Sequence, residues 1–197
     1  MSICVVNLCY YISATLPKET KLEELKAIFN KFDMEFSLLN NYNVKSQLRP
    51  NELYLRATKS YCDCDTVLGS QNRSQEYENL IKSKKVKTLK KKKWSEEQIH
   101  NWIMNKIKVK QHKTALGKIP AEVDQEIDKW INFMSTLLNT GKIKRIGILK
   151  HWYKAGLENE EFLIKNTERI NFKEINPVFL LNLEVDVLYE FLTTHAF

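Results

Sequence analysis

Between residues 120 and 139 apolar side chains return every three or four positions: Val123, Ile127, Trp130, Ile131, Met134, Leu137 and Leu138. That period predicts an amphipathic helix, with Pro120 suited to its first turn and Gly141 just past its end. A helix with one apolar stripe must bury it on another layer. The candidate layer is a set of short runs rich in β-branched and aromatic side chains: ICVVNLCYYI at 3–12, residues 35–39, and LYLRATK at 53–59. Between the first two, Leu22, Leu25, Phe29 and Phe32 recur at helical spacing, and Thr20 with Glu23 has the spacing of a capping box. A polar loop, NNYNVKSQLRPNE, separates the second and third runs.

The opening through residue 68 therefore reads β-α-β-β. The expected fold class is α+β: a single domain over 1–197, with a mainly antiparallel sheet covered by the helices near 20–33 and 121–139. A lysine-rich central excursion, 69–94, is expected to project from it, with a short helix at 76–82. A helical and mixed remainder occupies 95–197. Within that remainder Lys142 to Leu149 reads as a strand, and Glu158 to Ile164 as a short acidic helix with solvated carboxylates. The segment PVFLLNLEVDVLYEFL fits a period of two and a period of 3.6 alike; Pro177 tips it to helix.

Charge is distributed unevenly. From Lys82 to Lys113 twelve lysines face only Glu96 and Glu97, a sum of +10 in a chain whose net charge is +7, so the rest sums to −3. A cationic patch on a near-neutral body points to an anionic partner. Ser95 and Gln98 are spaced to cap a helix whose stripe is Ile99, Trp102, Ile103 and Ile107, with Lys106 and Lys110 away from much of it. Trp94 and Trp102 lie among the lysines, where an exposed ring can stack on a base. Lysine outnumbers arginine 26 to 5, which favours general electrostatic contact over bidentate reading and also fits an AT-rich genome.

No long apolar window reads as a membrane span, and the N-terminus lacks the features of a signal peptide. The chain is expected to be cytoplasmic with reduced thiols. Catalytic signatures are absent: there is no G-x-S-x-G, no H-E-x-x-H and no Gly-rich phosphate loop. The most unusual string is Tyr61-Cys62-Asp63-Cys64. If the strand from Leu53 continues, Tyr54, Arg56, Thr58, Ser60, Cys62 and Cys64 share one face and form a possible pocket floor. Their plain alternative is a solvated strand face with small buried thiols. Cys62 and Cys64 present both sulfurs to one side, and at most one of Cys4 and Cys9 can join them. Cys-x-Cys departs from the common zinc spacing, so the metal question stays open. A nucleophilic arrangement of Cys64, His151 and a carboxylate needs the fold to assemble it.

These features favour a non-enzymatic bacterial or phage binding protein without a cofactor. Lys84, Lys85, Lys87, Lys90, Lys91, Lys92, Lys93, Trp94, Lys106 and Lys110 would meet nucleic acid or an acidic protein surface. The alternative is an enzyme or a small-ligand or metal-binding domain using Arg56, Cys62 and Cys64. A homo-oligomerising module built on the apolar C-terminal segment is the third reading.

Overall fold

The structure, a computed structural model, describes residues 9–64, 66–70, 80–103, 105–106 and 121–193. The chain forms an α+β fold around one sheet. Its elements are β1 (Cys9–Pro17), α1 (Leu22–Lys31), β2 (Met34–Leu38), α2 (Tyr42–Lys45), β3 (Glu52–Thr58) and α3 (Val67–Ser70). Then come α4 (Lys84–Lys91), a helix α5 across 96–103, α6 (Ala121–Asn139), β4 (Arg145–Tyr153), β5 (Asn166–Asn171), α7 (Pro177–Leu181) and β6 (Val187–Leu192). The six strands lie in the order β2-β3-β1-β4-β6-β5, antiparallel except for the β5–β6 pair. Among the described residues no helix is long and apolar enough to cross a membrane.

The registers follow from burial. Leu16 faces Leu53, Ala14 faces Leu55 and Ile148, and these side chains meet Leu25 and Phe29 of α1. The same core takes Ile127, Trp130, Phe133, Met134, Leu137 and Leu138 of α6, the stripe predicted from spacing with Phe133 added. A bulge in β2 places Phe36 at φ 48°, which turns its ring inward to stack on Phe29 at 4.8 Å.

The other sheet face is covered too. Tyr54, Leu149 and Leu188 pack against Leu39, Val44 and Leu48, and against Leu157, Phe162 and Ile164 of the segment after β4. This second layer has no periodic signature, because it is a four-residue helix plus irregular chain.

Several expectations need correction. Helix α1 starts at Leu22, and Thr20 does not cap it: its backbone N–H donates to Pro17 in a turn, and its hydroxyl is buried without a partner. Glu23 pairs with Lys26 instead of reaching back. By contrast, the reciprocal bonds of Ser95 and Gln98 form as their spacing predicts, at 2.9 and 3.1 Å. Residues 158–164 are a turn and extended chain, not a helix. The C-terminal segment is helical only over Pro177–Leu181, where Asn176 caps it, and then becomes β6. That strand lies between β4 and β5 and is buried on both faces, so its apolar run carries no single period.

Candidate functional site

The lysine segment is built on its own small apolar cluster. Val86 and Leu89 of α4 are buried against Ile99 and Ile103 of α5, with Leu80, Ile81 and Trp102 partly buried around them. At 100° per residue this orientation puts Lys84, Lys87 and Lys91 opposite the buried stripe, with Lys85 and Lys90 on its flanks. The Ser83 side chain caps α4 by accepting from Val86. Its end is a Schellman turn: Trp94 N–H donates to Leu89 O at 3.2 Å, and Lys93 N–H to Lys90 O at 3.0 Å. Lys93 takes the left-handed position at φ 60°, a place that usually favours glycine.

Lys82, Lys84, Lys85, Lys87, Lys90 to Lys93 and Lys106 are all exposed, nine lysines against Glu96 and Glu97 over the described parts of 80–106. No carboxylate of the described residues lies within ion-pair distance of Lys84, Lys85, Lys87 or Lys90 to Lys93. Trp94 is 39% exposed beside them. Trp102 instead packs into the hairpin, with Lys106 Nζ 5.9 Å from its ring centre. Ile107 and Lys110 lie outside the described residues, as do residues 76–79 of the short helix expected at 76–82.

Arginine is used differently. Arg49 and Arg169 both meet Glu190, Arg145 meets Glu52 at 2.5 Å, and Arg56 meets Glu35 at 3.5 Å. The Glu52 and Glu190 side chains are almost fully buried, so the forked guanidinium serves as an internal clamp, whereas the described lysines of the 82–106 segment stay at the surface. Arg56 also donates to the carbonyls of Ser60 and Tyr61 and lies over the Tyr11 ring. Its candidate role as a pocket residue thus competes with a structural one.

The strand that carries Arg56 ends at Thr58, so the expected continuous face through Cys64 does not form. The chain turns and is recaptured by Asp63, which is fully buried. Its N–H donates to Tyr10 O at 2.8 Å, while its carboxylate accepts from Ile12 N–H at 2.7 Å and from the Thr58 hydroxyl at 3.0 Å. This anchor brings Cys62 and Cys64 beside Cys9, with the three sulfurs mutually within 4.8 Å. Burial first, then a hydrogen bond with Cys62 and the nearby Cys64, push the Cys9 thiol up to about 12. Cys64 is raised as well, mainly by burial. Such thiols are not activated nucleophiles at neutral pH.

His151 does not join them. Its Nδ1 lies 2.5 Å from Asp186, its Nε2 lies 3.7 Å from Glu160, and its ring stacks on Phe162 at 3.5 Å. Both ring nitrogens therefore face carboxylates, and no hydrogen bond links His151 to Cys64 among the described residues. Glu160, expected on a solvated helix face, is buried and accepts the backbone N–H groups of Lys154 and Ala155. Burial works to raise Asp186, but the hydrogen bonds from His151 and Lys165 outweigh it and hold the carboxyl below its ordinary value of 3.8.

A depressed carboxyl contributes stability that is complete above its unfolded value and is lost as pH falls through its folded value. Asp186→Asn is accordingly expected to cost about 1–3 kcal/mol near pH 6. The gap to wild type should close below about pH 3.8 in melting curves recorded across that range.

Neither a protein-family model, a curated protein nor a solved structure matches the chain. The site therefore rests on its own geometry. Cys9 is the member whose place sequence spacing left open, since tertiary pairing decides which backbone meets the Cys62–Cys64 turn; Cys4 lies outside the described residues. The His151–Asp186–Glu160 cluster had no signal beyond three separate polar residues.

Proposed function

We propose that the chain is a non-enzymatic binding protein that holds nucleic acid through the lysine face of the α4–α5 hairpin. The observation that carries this reading is the run of exposed lysines from 84 to 93 without carboxylate partners among the described residues, most of them on a helix whose other face is buried. Lysine point charges release counterions from phosphates without reading sequence. The exposed Trp94 ring adjoining them favours a strand with accessible bases over a purely acidic surface.

The test uses the full chain, a labelled single-stranded oligonucleotide and its duplex, over a salt series. Changing Lys90 to Lys93 to glutamate should weaken binding at low salt. It should also flatten the log–log salt slope for single strands by about 3, from four lost contacts at about 0.7 each. Trp94→Ala should cost about 1–3 kcal/mol on single strands and much less on duplex. A wild-type chain that binds neither nucleic acid, or a charge-reversed chain that binds equally well, overturns the reading. Salt-sensitive binding to an acidic polypeptide alone would reassign the lysine face to a protein partner.

A further inference from the structure

The three clustered cysteines are not explained by packing or by the lysine hairpin. Cys9 stands at the start of β1, and Cys62 and Cys64 are partly exposed in the turn after β3. Their convergence is imposed by backbone. Asp63 is tied to β1 by its N–H and its carboxylate, so its two neighbours are delivered to the side where Cys9 sits. Tyr10 N–H then donates to Cys64 Sγ at 3.2 Å, the kind of N–H···S bond that orients a sulfur and favours its anionic form.

We infer that Cys9, Cys62 and Cys64 form a three-thiolate site for a thiophilic d10 cation, Zn2+ in the first instance, with no fourth ligand among the described residues. Sulfurs around a tetrahedral zinc, at about 2.3 Å from the metal, are separated by about 3.8 Å. The observed spread, within 4.8 Å for all three pairs, reaches that arrangement by small side-chain rotations. An all-sulfur set selects zinc or Cu(I) over magnesium or calcium, which require oxygen. Binding replaces the thiol protons by the cation, so it releases protons and strengthens with rising pH. It also cross-links the start of β1 to the turn after β3. The site is thus a structural clasp as well as a metal site, and a fourth position that no described residue fills can take water or another donor.

The experiment is a titration of the reduced, metal-free full chain with Co2+, followed by displacement with Zn2+. Expected is a thiolate-to-cobalt charge-transfer band that saturates at one equivalent and disappears as zinc is added. Zinc should also raise the melting temperature of the wild-type chain. Cys9→Ser, Cys62→Ser and Cys64→Ser should each weaken cobalt binding by more than about 100-fold, beyond the 10–100-fold typical of losing a supporting residue. Folding of each variant is checked by its circular dichroism, and the wild-type zinc shift needs no variant at all. Absence of both band and zinc shift in the reduced wild type overturns the proposal. So does a band that survives in all three variants, which marks adventitious cobalt, or a chain that forms only a disulfide on oxidation and takes up no metal when reduced.

Discussion

Alanine in place of Gly69 is expected to destabilise the protein by about 3–5 kcal/mol, or to prevent a cooperative fold. A Cβ at this position would lie 1.7 Å from the carbonyl oxygen of Asp63 and 2.5 Å from its carbonyl carbon. Those are backbone atoms, so no rotamer change relieves the clash. Neither side can easily withdraw. Helix α3 is held at its start by the Glu126 carboxylate, which accepts from Val67 N–H at 3.1 Å. The buried Lys150 ammonium donates to Leu68 O at 3.0 Å and holds it from β4. On the other side Asp63 is fixed to Ile12 and Thr58. Urea unfolding of Gly69→Ala beside Gly141→Ala gives the comparison. Gly141 has open space around its missing Cβ but φ of +69°, so alanine there should cost only about 1 kcal/mol. Equal losses at the two sites would show that the close approach at Gly69 is not what matters.

Arg145→Met should cost about 3–5 kcal/mol at neutral pH, because it strands a buried carboxylate. The Glu52 side chain is 2% exposed, and Arg145 supplies it with two N–H donors, at 2.8 and 2.5 Å. Even so, burial wins over the arginine, and the Glu52 carboxyl is raised above its ordinary value of 4.5. A raised carboxyl favours folding in its protonated form, so the charged form is the costly one above its folded value. Without Arg145 that value rises further. The loss in Arg145→Met should therefore shrink as pH is lowered through the range above 4.5 in which the raised Glu52 carboxyl takes up its proton. Adding Glu52→Leu should restore much of the stability, since an apolar pair often replaces a buried ion pair without net loss. A double-mutant cycle by thermal unfolding checks this. Strictly additive losses would mean that the two side chains do not act as a pair.

The parts of the fold legible in the sequence are those with one buried face. Helix α6 shows its stripe because only one side meets the sheet. The capping pair at Ser95 was legible because it is local, whereas Thr20 failed since a turn out of β1 claimed its backbone first. Strand β5, Asn166–Asn171, has almost no signature: it lies at the sheet edge, and Ile170 is its one side chain packed on the main core. Segment 178–192 misled because β6 is buried on both faces.

For the candidate sites the same division holds. Amino-acid order alone determined that a dense block of lysine, with two tryptophans among it, belongs to one short stretch of an otherwise near-neutral chain. It also determined that Cys62 and Cys64 sit two residues apart and that α6 needs a sheet to cover. Only the tertiary structure decided that Val86 and Leu89 would turn inward and present the lysines on one side. It alone decided that Cys9 would complete the thiol cluster, and that His151 would be held between two carboxylates. The physical reason is range. Periodicity and capping are set by neighbours within a turn or two, while a site of converging side chains depends on which distant backbones pair. In this protein that pairing runs through Asp63, one buried carboxylate bonded to β1 across a separation of 51 residues.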